Sequence, residues 1–197
     1  MDLNMPVTDI DQVIKIRRTV KPDRMNGRLI DDQEVMQLLA LADWAPTHAR
    51  TEPWRFIVFS EANVKGFTKK HADLFKANTP EASFTQQKYD NLEKLGNNVS
   101  HIIIAWMKRV TNHKIPEMEE IAASASAIQN LLLGATARGI ASFWSTGGLA
   151  LHPALHTEFK LGEEDIILGI LYLGYTDEPL KEGSRLIPLS EKVEWKK

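Results

Sequence analysis

Residues 116–138 read PEMEEIAASASAIQNLLLGATAR, and this stretch decides the fold. Pro116 suits a first helical turn, where its missing N–H costs nothing. Glu117, Glu119 and Glu120 fall at the positive end of the helix dipole, and Gly139 stands where a C′ glycine closes a helix. The middle, 122–127, is all alanine and serine, and Leu131–Leu133 follow. Side chains this small let another backbone come close. The stretch therefore predicts a long central helix buried against its neighbours.

On either side of that helix the pattern changes to strands. Ile102–Met107 is apolar throughout, as a strand covered on both faces is. Ile140–Trp144 is a short strand that runs into Ser145-Thr146-Gly147-Gly148. A short helix over His152–Phe159, stopped at Gly162, precedes a buried strand over Ile166–Leu173. After Thr176 comes a polar tail with Pro179 and Pro188, ending in Val193–Trp195, and a tail of this kind needs a surface to lie against. Towards the N-terminus, residues 61–97 are polar, with broken helical patterns around Pro80, and read as a mobile surface excursion. Trp54–Phe59 is a strand by its aromatic and β-branched content. Ala45–Pro53 is a loop closed by Pro46 and Pro53.

Before that loop, Asp31 caps a helix, Glu34 completes a capping box and Ile30 staples onto Val35; Leu38, Leu39 and Ala42 keep the period. An earlier helix starts near Thr8 and Asp11, carries Ile10, Val13 and Ile14, and delivers Arg17-Arg18-Thr19 at its end. Helices first, then strands alternating with helices, predict a single α+β or mixed α/β domain over residues 1–197.

Composition narrows the function classes. The absence of cysteine removes disulfides, thiolate catalysis and cysteine-based metal centres. A net charge of -2 supplies no basic field for nucleic acid. The longest apolar runs are too short to span a bilayer, and residues 1–11 show no signal core, so a cytoplasmic protein without a membrane partner is expected.

Few residues stand out for chemistry. Arg17-Arg18-Thr19 fits either phosphate binding, through guanidinium forks and a hydroxyl, or plain solvated charge at a helix C-terminus. Ser145-Thr146-Gly147-Gly148 is either a simple turn or a place where backbone approaches a planar ring or phosphate; it matches neither GxGxxG nor a P-loop. Trp44, Trp54 and Trp144 border loops, as core anchors or as walls for an aromatic ligand. His48 lies in the polar loop before Pro53 and either caps it or contacts a ligand. His152 and His156 have the i, i+4 spacing of a zinc helix, but Pro153 follows the first and no glutamate base or third ligand is evident, so no metal site is expected. With no GxSxG and no distinctive carboxylate pair, an enzyme built on this chain depends on a cofactor.

Taken in order, four of these stretches resemble the FMN-dependent nitroreductase family, most closely its short bacterial NAD(P)H nitroreductase branch, from about Ile10 to Trp195. They are Arg17-Arg18-Thr19, similar to the family's Arg-Arg-Ser; residues 45–56 (APTHARTEPWRF), similar to its Ala-Pro-Ser…Gln-Pro-Trp-x-Phe; residues 126–133 with Gly139 and Trp144; and residues 171–175 (LYLGY).

The resemblance implies a mixed sheet flanked by helices, a homodimer with two FMN sites at its interface, and a C-terminal tail crossing onto the partner subunit. It also implies that Arg17, Thr19 and Arg185 hold the phosphate and ribityl chain, with Arg18 near the pyrimidine edge. Trp144, Ser145, Thr146 and Gly147 would line the ring from one subunit, with Trp44 and His48 reaching it from the other. The implied reaction passes hydride from NAD(P)H through FMN to a small-molecule electron acceptor such as a nitroaromatic or quinone, with no catalytic side chain named. Arg50 and Glu52 depart from the family's Asn and Gln: arginine only donates and glutamate only accepts, where an amide does both. A flavin-binding sensor or carrier without turnover, and a reductive dehalogenase-type member of the same fold, are the alternatives.

Overall fold

The computed structural model describes residues 9–110, 114–179 and 182–197. Its centre is a four-stranded sheet of β1 (Trp54–Phe59), β2 (His101–Met107), β3 (Ala141–Ser145) and β4 (Ile166–Gly174), in the order β1-β2-β4-β3. All three strand pairings are antiparallel. Among the described residues, the parallel component of the mixed sheet is a single bridge from Thr19 to Ser142 on the outer edge of β3.

Both faces of the sheet are covered, which explains the unbroken apolar runs of β2 and β4. Ile103, Ala105, Leu171 and Leu173 point to one face, under α2 (Asp32–Ala42) and α5 (Glu117–Ala137). Ile102, Ile104, Ile170 and Tyr172 point to the other, under α3 (Ala62–Asn78) and α6 (Pro153–Glu158). Alternate residues of one strand thus feed two separate cores.

The central helix starts one residue later than its sequence suggests, with Pro116 as N-cap rather than in the first turn. It closes as expected on Gly139 (φ 70°), whose N–H reaches the Thr136 carbonyl while Ile140 N–H reaches that of Ala135. Its small residues have a clear use: a Cβ at Gly134 would lie 2.5 Å from Leu41 Cδ1 of α2. Asp31 caps α2 by accepting from Gln33 N at 2.7 Å, and both staple residues, Ile30 and Val35, are buried. In α1 (Ile10–Ile16) the cap is Asp9, accepting from Asp11 N; Thr8 lies outside the described residues.

Residues 61–97 correct the sequence expectation. They form α3 and α4 (Gln86–Lys94), not a surface excursion. Helix α3 buries Val64, Phe67, Thr68, His71, Ala72 and Phe75, one stripe at helical spacing. The tail is different: among its described residues Leu186 is 97% exposed and Trp195 82%, and none of its apolar side chains is buried. Among the described residues no helix is long and apolar enough to cross a membrane.

Candidate active site

The Thr19–Ser142 bridge brings together two motifs more than 120 residues apart in the chain. Helix α1 ends where Arg17 turns to extended backbone (φ -53°, ψ 124°), and Val20 N–H then bonds the Ser142 carbonyl at 2.9 Å. Arg17-Arg18-Thr19 is thereby laid along β3, whose far end carries Ser145–Gly148.

Arg185 joins this group from the tail. The Arg17 guanidinium has its pKa lowered by partial burial, then by the charges of Arg18 and Arg185. Arg18 donates to the Arg17 carbonyl at 2.6 Å, and the tail at Gly183 passes so close to its guanidinium that a Cβ there would collide with it. Three like charges gathered this way form a donor set suited to a phosphate dianion.

The glycine turn is held from inside. Ser145 Oγ accepts from Gly147 N at 3.1 Å, and Ala150 N–H bonds the Gly147 carbonyl. Gly148 has φ 66°, and a Cβ on it would lie 2.8 Å from the His71 ring and 2.9 Å from Leu92. His71 is 1% exposed, its Nε2 accepts from Leu149 N at 2.9 Å, and burial lowers its pKa to about 4.

Ser145, Gly147 and Gly148 open onto a cavity of about 710 Å³, which Lys21, Phe75, Lys88, Asn91, Lys94, Phe143 and Tyr172 also line. Its volume and aromatic walls suit a tricyclic ring, and its rim is mainly cationic, with Asp23 the one carboxylate. Trp144 does not line it: its indole N–H donates to the Leu168 carbonyl at 2.9 Å, and the ring packs over Gly169. Thr146 is exposed beside the cavity without lining it.

The sequence reading missed two contributions. Lys21 lies only two residues beyond Thr19, next to a motif already singled out, a signal that was available. The α4 wall of Lys88, Asn91 and Lys94 was not legible, because α4 buries no residue fully.

Trp44 and His48 lie elsewhere. Trp44 is 86% exposed beyond α2, and His48 Nδ1 pairs with Glu119 of α5. The backbone after them is strained: Ala49, Arg50 and Glu52 all take left-handed conformations (φ 50°, 56° and 42°) that side chains disfavour. Neither Arg50 nor Glu52 lines the cavity.

Two other groupings do not form a reactive centre. Ser100 Oγ, His101 Nδ1, His101 Nε2 and Asp32 Oδ1 form a relay of 2.9 and 2.8 Å contacts with a hydrolase's residue types. Ser100 is 1% exposed and its oxygen accepts from Ile30 N, so the relay clasps β2 to α2. A larger cavity, about 810 Å³, lies where β2 ends and β4 begins, between Arg55, Trp106 and the 160–165 loop. Of the stretches singled out in the sequence only 45–56 reaches it, through Arg55, and its Asp165 is occupied with Arg109 N and Gly162 N. His152 Nδ1 accepts from Ala154 N as the cap of α6, and the described residues hold no metal-binding cluster.

Comparison with known proteins agrees in family and in fold. The Nitroreductase family pattern matches residues 14–175. A Bacillus subtilis (strain 168) protein provisionally named NAD(P)H nitroreductase YfhC is 28% identical over 167 residues, covering 84% of each chain. A Bacillus cereus structure described as a nitroreductase-like family protein superposes with a TM-score of 0.82 at 28% identity, over 96% of both chains. A Desulfovibrio desulfuricans structure, provisionally described as a nitroreductase in complex with FMN, shares the fold with a TM-score of 0.72 at 21% identity, over 97% of this chain and 98% of that one. On the match of its family pattern across most of its length, the chain belongs to the Nitroreductase family.

Proposed function

We propose that this protein binds FMN in the cavity beside Ser145–Gly148 and uses it, as a homodimer, to carry hydride from NAD(P)H to small acceptors such as nitroaromatics and quinones. One observation carries the reading. The Thr19–Ser142 bridge lays the Arg17–Thr19 arm, with Arg185 near Arg17, along the strand that runs into the Ser145–Gly148 turn, and that turn lines a cavity large enough for a flavin ring. The names of the relatives support both the flavin and the nicotinamide donor.

In this reading Arg17, Thr19 and Arg185 hold the phosphate and ribityl chain, and Arg18 stands near the pyrimidine edge. Ser145, Thr146 and Gly147 present backbone and hydroxyl groups to the ring, with Trp144 buttressing their strand. Lys21 places a cation on the cavity wall, where it stabilises negative charge that develops on a reduced ring. Asn91 supplies the amide that Arg50 and Glu52 do not, able to donate to and accept from the uracil-like edge at once. Trp44 and His48 act in the second site of the dimer, and the exposed tail lies on the partner subunit. Bound FMN supplies the hydride-accepting and hydride-donating centre. The side chains orient, neutralise and exclude water, and none is assigned as acid or base.

The test is the visible spectrum of the purified protein before and after anaerobic NAD(P)H. Flavin bands near one FMN per chain that bleach on addition support the reading. Bands that persist point to a flavoprotein without NAD(P)H turnover. A colourless protein that takes up no added FMN overturns the assignment.

A further inference from the structure

His71 belongs to none of the motifs that point to the cofactor, yet it touches the turn at their centre. It comes from α3, stands 1% exposed, and its ring stacks on Phe67 at 5.7 Å. Its Nε2 meets the Leu149 N–H at 2.9 Å, and its Cε1 and Nε2 fill the space that a side chain at position 148 would need. A backbone N–H can only donate, so the lone pair must be on Nε2 and the ring proton on Nδ1. That Nδ1 is buried and has no partner. A phenylalanine or leucine would fill the same volume without burying an unsatisfied donor, so packing alone does not account for a histidine. The bond to Leu149 does: it is the one hydrogen bond that the imidazole makes among the described residues, and it fixes the residue immediately after Gly148.

We infer that His71 is a positioning residue for the cofactor site, its neutral imidazole clamping Gly148 and Leu149 from within the core so that Ser145 and Gly147 face the cavity. The inference rests on the flavin reading of that cavity. The arrangement is directional. The inner side of the turn bonds to α3, while Ser145 and Gly147 line the cavity on its other side. Without the acceptor, Leu149 N–H becomes a buried orphan and the turn has reason to rotate. A glutamine at this position can present its amide oxygen near the place of Nε2 and keep the bond.

The experiment compares FMN dissociation constants, by flavin fluorescence, for the wild type, His71→Leu and His71→Gln, with circular dichroism to confirm that each is folded. A folded His71→Leu is expected to bind FMN about tenfold more weakly or worse, the scale of one lost buried hydrogen bond, with His71→Gln within about threefold of wild type. Equal affinity in all three overturns the role, and so does an equal loss in both variants, which would mark a requirement for shape alone. A wild type that takes up no FMN overturns the flavin reading itself and this role with it. Should His71→Leu not fold, the imidazole ¹⁵N spectrum of the wild type decides: the Nδ1–H tautomer is expected, and the Nε2–H tautomer overturns the clamp.

Discussion

The two loops that flank the candidate site are built in opposite ways. The Ser145–Gly148 turn is over-determined within one chain: β3 leads into it, the Thr19 arm lies against its strand, and His71 holds it from below. The Trp44–Glu52 loop has an indole standing 86% in solvent and three left-handed side-chain residues. The contacts that steady it are mostly local, among them Thr47 Oγ1 to Thr51 Oγ1 at 2.8 Å and Glu52 N to Thr47 Oγ1 at 3.2 Å, with His48–Glu119 tying it to α5. Strain of this kind persists where something else uses the geometry. The difference teaches that the turn is fixed by its own chain, whereas the loop carries strain that its own chain does not explain; in the proposed dimer that shape would serve the neighbouring subunit's site.

The largest expected effect breaks the cradle by its own chemistry. His71 is neutral in the fold, with a pKa lowered to about 4 by burial, against 6.5 when exposed. Between those values the unfolded chain binds the extra proton, so stability falls as pH drops from about 6.5 to about 4. This one group should remove about 3 kcal/mol across that window. Urea unfolding of wild type and His71→Gln over that range should show the slope in the first and its reduction in the second. Next is Arg17→Ala. Losing a charge-assisted contact of roughly 1.5–3 kcal/mol should weaken FMN binding about 10- to 100-fold, with little change in thermal stability because the side chain is only half-buried. An Arg17→Ala protein that keeps wild-type FMN affinity would remove the phosphate role.

The other half of the comparison predicts smaller, different effects. Trp44→Ser should leave the monomer's fold intact and weaken FMN binding and dimer association together, each by about tenfold. Sedimentation and flavin titration would show both; a change in neither would place the loop outside the site. Asn91→Leu should have the mildest effect, about threefold on FMN affinity, with a shift in flavin reduction potential. An unchanged potential would take the amide away from the pyrimidine edge.

How much of this was legible in the sequence differs along the chain for physical reasons. The strands and the central helix were readable because their apolar runs and caps agree with their tertiary roles; even Gly139 closes its helix as its position suggests. Arg17–Thr19 and Ser145–Gly148 were readable as motifs, but what joins them is one bridge between distant segments, which no local pattern encodes. Helix α3 was missed because its buried stripe includes Thr68 and His71, which break an apolar pattern while keeping the helical period. Lys88, Asn91 and Lys94 were missed because a cavity wall of polar residues on a solvated helix looks like any exposed face.

The arm that carries Arg17–Thr19 also has a consequence for solubility. Strand β3 ends the sheet, and an uncovered edge is a template for another chain's strand. Thr19 and Val20 occupy part of that edge through the bridge and bond to Ser142, so the segment that gathers the arginines is also the sheet's cover. If those arginines bind the FMN phosphate as proposed, the bound anion would help hold the cover closed. Protein stripped of its ligand should therefore be the form that self-associates, and adding the ligand back should disperse it.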